Sequence, residues 1–175
     1  MRKTLLKGLL NAPFTERVPA DAEFAAFATK VDQVARVKLG RSLSIRHIDA
    51  GSCNGCELEI HALGNAFYDI ERFGMRFVAS PRHADVLLVT GPVTKNMCEA
   101  LLRTYDATPN PKWVVTLGGC ALDGGCFAGS YAVIGGVSEV VPVDLHIPGC
   151  PPSPTEILQG LLALLRKLNT ANRAR

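Results

Sequence analysis

The chain has 175 residues, of which 47% are hydrophobic, 20% charged and 6% aromatic, and its net charge is +3. That length accommodates one domain with a sizeable core, and so mild a charge gives no reason to expect a nucleic-acid partner. No stretch reaches the ~20 consecutive apolar residues that cross a bilayer, so the chain is expected to be cytoplasmic and soluble, with part of its weakly charged surface covered by other subunits.

The elements follow in chain order. Residues 1–20 hold Pro13 and Pro19 and read as an extended lead-in. The basic start Met1-Arg2-Lys3 is followed by an apolar run that Lys7 and Gly8 break, so no signal-peptide core forms. Asp21 can cap a helix whose apolar face is Phe24, Phe27, Val31 and Val34. Residues 43–48 alternate like a strand and run into Asp49-Ala50-Gly51, and a helix is predicted over 57–67. Short strands are predicted over 77–79 and 84–90, and Thr94 can cap a helix over 95–105. A buried strand over 112–117 leads to Gly118-Gly119, a strand over 140–147 leads to Pro148-Gly149, and an apolar helix over 155–169 closes the chain. Strand, loop, helix in repetition predicts an open doubly wound α/β sheet, mainly parallel, with helices on both faces and its chemistry at the carboxyl ends of the strands. The expected organisation is an N-terminal extension and helix over 1–40, a single binding domain over 41–170 and a tail over 171–175.

Cysteine usage carries the chemistry. Six cysteines in a reducing compartment favour metal or cluster binding over disulfides. Cys53-Asn54-Gly55-Cys56, Cys120 after Gly118-Gly119, and Cys150 in Pro148-Gly149-Cys150-Pro151-Pro152 each lie where a hydrophobic run ends. A soft set of four thiolates suits an iron–sulfur cluster. A structural zinc site usually shows two C-x-x-C knuckles, and a thioredoxin-like dithiol leaves Cys120 and Cys150 unexplained. Cys126 competes with Cys120 for one ligand position, and Cys120 is preferred because it directly follows a strand. Cys98 falls within a predicted helix beside Met97 and reads as core. His47, His61, His83 and His146 are scattered and pair with no cysteine at ligand spacing. Glu57 and Glu59 read as a solvated helix start favoured by the helix dipole. No phosphate loop, nucleophile elbow or substrate-pocket signature is present.

Several segments together resemble one known family. They are Cys53-Asn-Gly-Cys56-Glu-Leu-Glu59, Arg72-Phe-Gly-Met75, Ser80-Pro-Arg-His-Ala-Asp85, Val89-Thr-Gly-Pro-Val-Thr94, Gly119-Cys-Ala121 and Pro148-Gly-Cys-Pro-Pro152. They are similar to the cluster-bearing small subunit of energy-converting (group 4) nickel–iron hydrogenases and formate hydrogenlyase, homologous to the 20 kDa subunit of the complex I NADH-quinone oxidoreductase. The resemblance spans about residues 43–165 and implies a flavodoxin-like domain with one 4Fe-4S cluster on Cys53, Cys56, Cys120 and Cys150. It further implies an electron-transfer subunit of an oxidoreductase, with no catalytic residue of its own, between a ferredoxin-like iron–sulfur subunit and a hydrogenase-like large subunit. Integral membrane subunits would hold it at the cytoplasmic face of the inner membrane.

The C-x-x-C spacing and Gly91-Pro92-Val93-Thr94 resemble the hydrogenase branch, whereas complex I chains place their first two ligand cysteines side by side. The second possibility is therefore a complex I-type subunit passing electrons to quinone. A third, of another class, is a zinc-stabilised scaffold without redox function.

Overall fold

A computed structural model describes residues 41–173. The helix expected at 21–35, with the rest of the extension over 1–40, lies outside the described residues. Five parallel strands form the main sheet: β1 (Leu43–Asp49), β2 (Met75–Phe77), β3 (Val86–Thr90), β5 (Trp113–Leu117) and β7 (Leu145–Ile147). They stand in the order β2-β1-β3-β5-β7. A two-residue strand β4 (Val93–Thr94) pairs antiparallel with β6 (Val133–Gly135), a ribbon that its short polar-flanked segments did not announce. The helices are α1 (Gly55–Ala62), α2 (Lys95–Ala107), α3 (Gly119–Asp123) and α4 (Pro154–Arg173).

The alternating side chains of a strand divide between two faces. On β3, Val86 and Leu88 join one core while Leu87 and Val89 join the other, and all four are fully buried. The first core packs Ile60 of α1 and Ile157, Leu158, Leu161, Leu162, Leu164 and Leu165 of α4 against the sheet. The second packs Leu101 of α2 with Ala121 and Val137. Each of the valine, leucine and isoleucine side chains contributes roughly 1.5–3 kcal/mol when fully buried. Helices on both faces of a parallel sheet make this the α/β layering anticipated from the strand–loop–helix repetition.

The boundaries moved where polar side chains compete for the backbone. Helix α1 stops at Ala62 rather than 67, because the Asn65 side chain accepts from the Phe67 and Tyr68 N–H groups, both at 2.9 Å. The strand expected over 140–147 is confined to Leu145–Ile147; a short 3-10 turn covers Val137–Glu139, and the Asp144 carboxylate takes the Val114 N–H at 2.8 Å. Thr94 occupies the N-cap position of α2 but does not cap it: its hydroxyl donates to the Ala50 carbonyl at 3.0 Å. At α4 the cap is a Ser153–Glu156 box, in which Ser153 N–H and Oγ reach Glu156 Oε2 at 2.7 and 2.8 Å. These bonds hold the Glu156 carboxyl below its ordinary pKa. Helix α4 continues to Arg173, into residues expected as tail.

Candidate functional site

The carboxyl ends of β1, β5 and β7 bring three cysteine-bearing loops together. After β1, Asp49 Oδ1 accepts the N–H groups of Gly51 and Ser52 at 2.8 and 2.7 Å, which turns the chain. Asn54 then adopts a left-handed conformation (φ 71°) and α1 begins, with Cys53 just ahead of it and Cys56 in its first turn. The Cys56 thiol faces the Leu117 carbonyl at the end of β5, 3.8 Å away. The β5 and β7 loops are tied together, Gly118 N–H donating to Ile147 O and Gly119 N–H to Gly149 O, each at 2.9 Å. Cys120 thereby enters the first turn of α3 while Cys150 follows Gly149. A Cβ on Gly55 would stand 3.5 Å from Cys53 Sγ and 3.8 Å from the Pro151 ring, so the Cys150-Pro151 loop closes over the C-x-x-C turn.

All six thiols are free; Cys53, Cys126 and Cys150 are exposed, and Cys56, Cys98 and Cys120 are half-buried. Cys98 packs against the second core, as its place in a helix suggested. Cys126 sits within a short 3-10 turn (Gly125–Phe127) and acts directly on Cys120, so both competitors for one ligand position share one place. Among the described residues no three His, Cys, Asp or Glu side chains converge as ligands of a single metal ion would.

Burial, then the Glu57 carboxylate, then the thiols of Cys53, Cys120 and Cys150 push the Cys56 pKa up to about 12. Cys56 thus holds its proton at neutral pH. Burial and then Cys126 push the Cys120 thiol up as well.

Glu57 corrects the picture of a solvated helix start: it is 7% exposed, while Leu58 beside it is 62% exposed. The Ser52 hydroxyl donates to Glu57 Oε2 at 2.5 Å, and His47 Nε2 lies 3.6 Å from Oε1 and 3.0 Å from Thr90 Oγ1. Burial lowers the His47 pKa below 6.5, with Glu57 opposing. Among the described residues Glu57 Oε1 and Arg46 Nε are buried with no hydrogen-bond partner, and with His47, His61 and Phe77 these two residues border a cavity of about 400 Å³ that no sequence signature announced. The overlooked signal was spacing: Glu57 shares the i, i+3 face of α1 with buried Ile60.

The family described as NADH ubiquinone oxidoreductase, 20 Kd subunit, matches residues 53–164. The chain belongs to this family. It is 47% identical over 130 residues to the probable membrane-bound hydrogenase subunit mbhJ of Pyrococcus furiosus, covering 74% of this chain and 78% of that one. It is 42% identical over 158 residues to formate hydrogenlyase subunit 7 of Escherichia coli, covering 90% of this chain and 61% of that longer protein. A chain from the solved membrane-bound sulfane sulfur reductase, an archaeal respiratory membrane complex, superimposes with a TM-score of 0.64 at 36% identity, over 72% of this chain and 70% of that one. Membership places the protein among subunits of hydrogenase-type and complex I-like oxidoreductases. No helix among the described residues is long and apolar enough to cross a membrane.

Proposed function

We propose that this family member is an electron-transfer subunit holding one 4Fe-4S cluster on Cys53, Cys56, Cys120 and Cys150. In this reading it relays electrons between a ferredoxin-like iron–sulfur subunit and the nickel–iron site of a hydrogenase-like large subunit. The observation that carries it is the meeting of three cysteine loops at one sheet edge, with Cys53, Cys120 and Cys150 all acting electrostatically on Cys56. The donor set fits the group. It is all thiol, the ligand type that iron–sulfur clusters take, and the turn beside it carries Gly118, whose missing side chain leaves the Cys56 sulfur room. Cys53, Cys56, Cys120 and Cys150 would hold such a group from three separate loops, a looser grouping than a single ion would need. When bound, the cluster supplies one-electron transfer; the protein supplies position and a graded environment.

Cys56 and Cys120 lie toward the interior and Cys53 and Cys150 toward solvent, which would set one side of the group against low-dielectric core and the other against a partner. The helices and turn that carry Cys56, Cys120 and Cys126 also present an exposed apolar rim: Leu58, Leu122 and Phe127 are 62%, 51% and 38% exposed. We assign this rim to the large subunit, because exposed apolar patches mark interaction surfaces. Integral membrane subunits would then hold the protein at the cytoplasmic face of the inner membrane, with residues 41–170 as its one binding domain.

Electron delivery to quinone is the second reading, favoured by the family description and by the cavity beside Glu57. The deciding experiment is metal analysis of the purified complex with electron paramagnetic resonance of its dithionite-reduced state and an assay of hydrogen-dependent dye reduction. Iron and sulfide at cluster stoichiometry, nickel, and hydrogen activity are expected. Iron and sulfide without nickel or hydrogen activity would move the assignment to the quinone branch, and zinc in place of iron would remove the redox function altogether.

A further inference from the structure

Between Cys120 and Cys126 the chain folds back on itself. Helix α3 ends after one turn, where Gly124 (φ +94°) donates to the Cys120 carbonyl at 2.9 Å and the Asp123 carboxylate holds the Gly125 N–H at 2.9 Å. Gly125 (φ +51°) passes so near Cys120 that a Cβ there would stand 2.8 Å from its Sγ and 3.0 Å from its Cα. Two consecutive left-handed residues and a contact that tight require glycine, and their combined effect is to lay Cys126 against Cys120. Of the surrounding thiols Cys126 acts most strongly on the Cys120 sulfur, ahead of Cys150. Cys126 is exposed. Cys56 is less well placed for Cys120, being turned toward Leu117 O and packed on the first core.

We propose that Cys120 and Cys126 are a disulfide-forming pair in the cluster-free chain, and that this bond shields the Cys120 sulfur and bars cluster insertion until it is reduced. The second half of that statement rests on the assignment of Cys120 as a ligand; the bond itself does not. A low-molecular-weight disulfide such as oxidised glutathione is the oxidant. The exposed Cys126 sulfur loses its proton and attacks one glutathione sulfur, breaking the S–S bond and releasing one glutathione thiol. The Cys120 sulfur then loses its proton and attacks the mixed disulfide at Cys126, forming the Cys120–Cys126 bond and releasing the second glutathione. Two electrons pass from the protein thiols to the oxidant, and the two protons leave with the released thiols.

The test uses the full chain prepared free of iron under a chelator, exposed to oxidised glutathione, alkylated and cleaved before aspartate. That cleavage separates Cys120 (peptide 106–122), Cys126 (123–143) and Cys150 (144–175). Peptides 106–122 and 123–143 are expected joined, and the oxidised chain should take up iron and sulfide only after dithiothreitol. The reduced Cys126→Ser and Cys126→Ala chains should load like the parent but give no joined peptide. Cys120 found bonded to the peptide of Cys53, Cys56 or Cys150, or Cys126 alkylated throughout, would overturn the pairing. A chain that forms the bond yet takes up no iron when reduced would keep the pairing and overturn the ligand assignment.

Discussion

Gly118 yields its side-chain space to the sulfur of Cys56: a Cβ on this glycine would lie 2.7 Å from Cys56 Sγ. Its backbone, at φ 85° and ψ 156°, also lies in a region essentially reserved for glycine. Gly118→Ala is therefore expected to strain the turn by about 1–3 kcal/mol and to push Cys56 away from the β5 loop. Iron content per chain should fall sharply while the far-ultraviolet circular dichroism stays that of the parent. Full iron loading in a folded Gly118→Ala chain would detach the glycine from the site.

The ligand assignment separates Cys150 from Cys98. Cys150→Ser removes a thiol from the loop that closes over the C-x-x-C turn and should abolish most of the cluster signal. Cys98→Ser alters a half-buried thiol on α2, on the other face of the sheet from α1, and should load normally with a stability loss of about 1 kcal/mol. Equal iron and sulfide in the two variants would contradict the assignment.

Stability at the start of the domain depends more on a buried acceptor than on an ion pair. Asp85, 6% exposed, accepts the N–H of fully buried Ser44 at 2.9 Å and pairs with Arg41 at 2.6 Å. The Arg41 side chain is 55% exposed, so Arg41→Ala should cost less than about 1 kcal/mol. Asp85→Ala leaves the Ser44 N–H buried and unpaired, at about 1–3 kcal/mol. Urea unfolding of both variants checks the order.

His47 makes stability depend on pH with a definite sign. Burial lowers its folded pKa below 6.5, and burial lowers that of His146 likewise. Between those folded values and 6.5 the unfolded chain binds protons that the folded chain refuses, so stability rises with pH across that window and levels off above it. His47→Gln should reduce this slope without abolishing it, since His146 remains. Urea midpoints of parent and variant between about pH 5 and 7.5 read the difference; parallel curves would show that His47 does not titrate with unfolding.

Much of the fold was legible because apolar periodicity and strand burial are local. The buried run 84–90 became β3, the runs ending at Asp49 and Gly118 became β1 and β5, and the long apolar helix became α4. Element ends were less legible: apolar periodicity does not register the Asn65 side chain that takes its neighbours' N–H groups after α1, and Asp144 finds its partner at the distant Val114. The β4–β6 ribbon escaped notice since neither half buries an alternating face.

Which cysteines lie on loops at strand ends followed from the sequence by itself, since glycine and proline after an apolar run impose a turn whatever surrounds them. That the loops after β1, β5 and β7 meet, that Glu57 points inward beside His47, and that Cys126 lies against Cys120 came from the tertiary structure. Those relationships join residues far apart in the chain or across a turn whose glycines permit several paths, and close packing selects one.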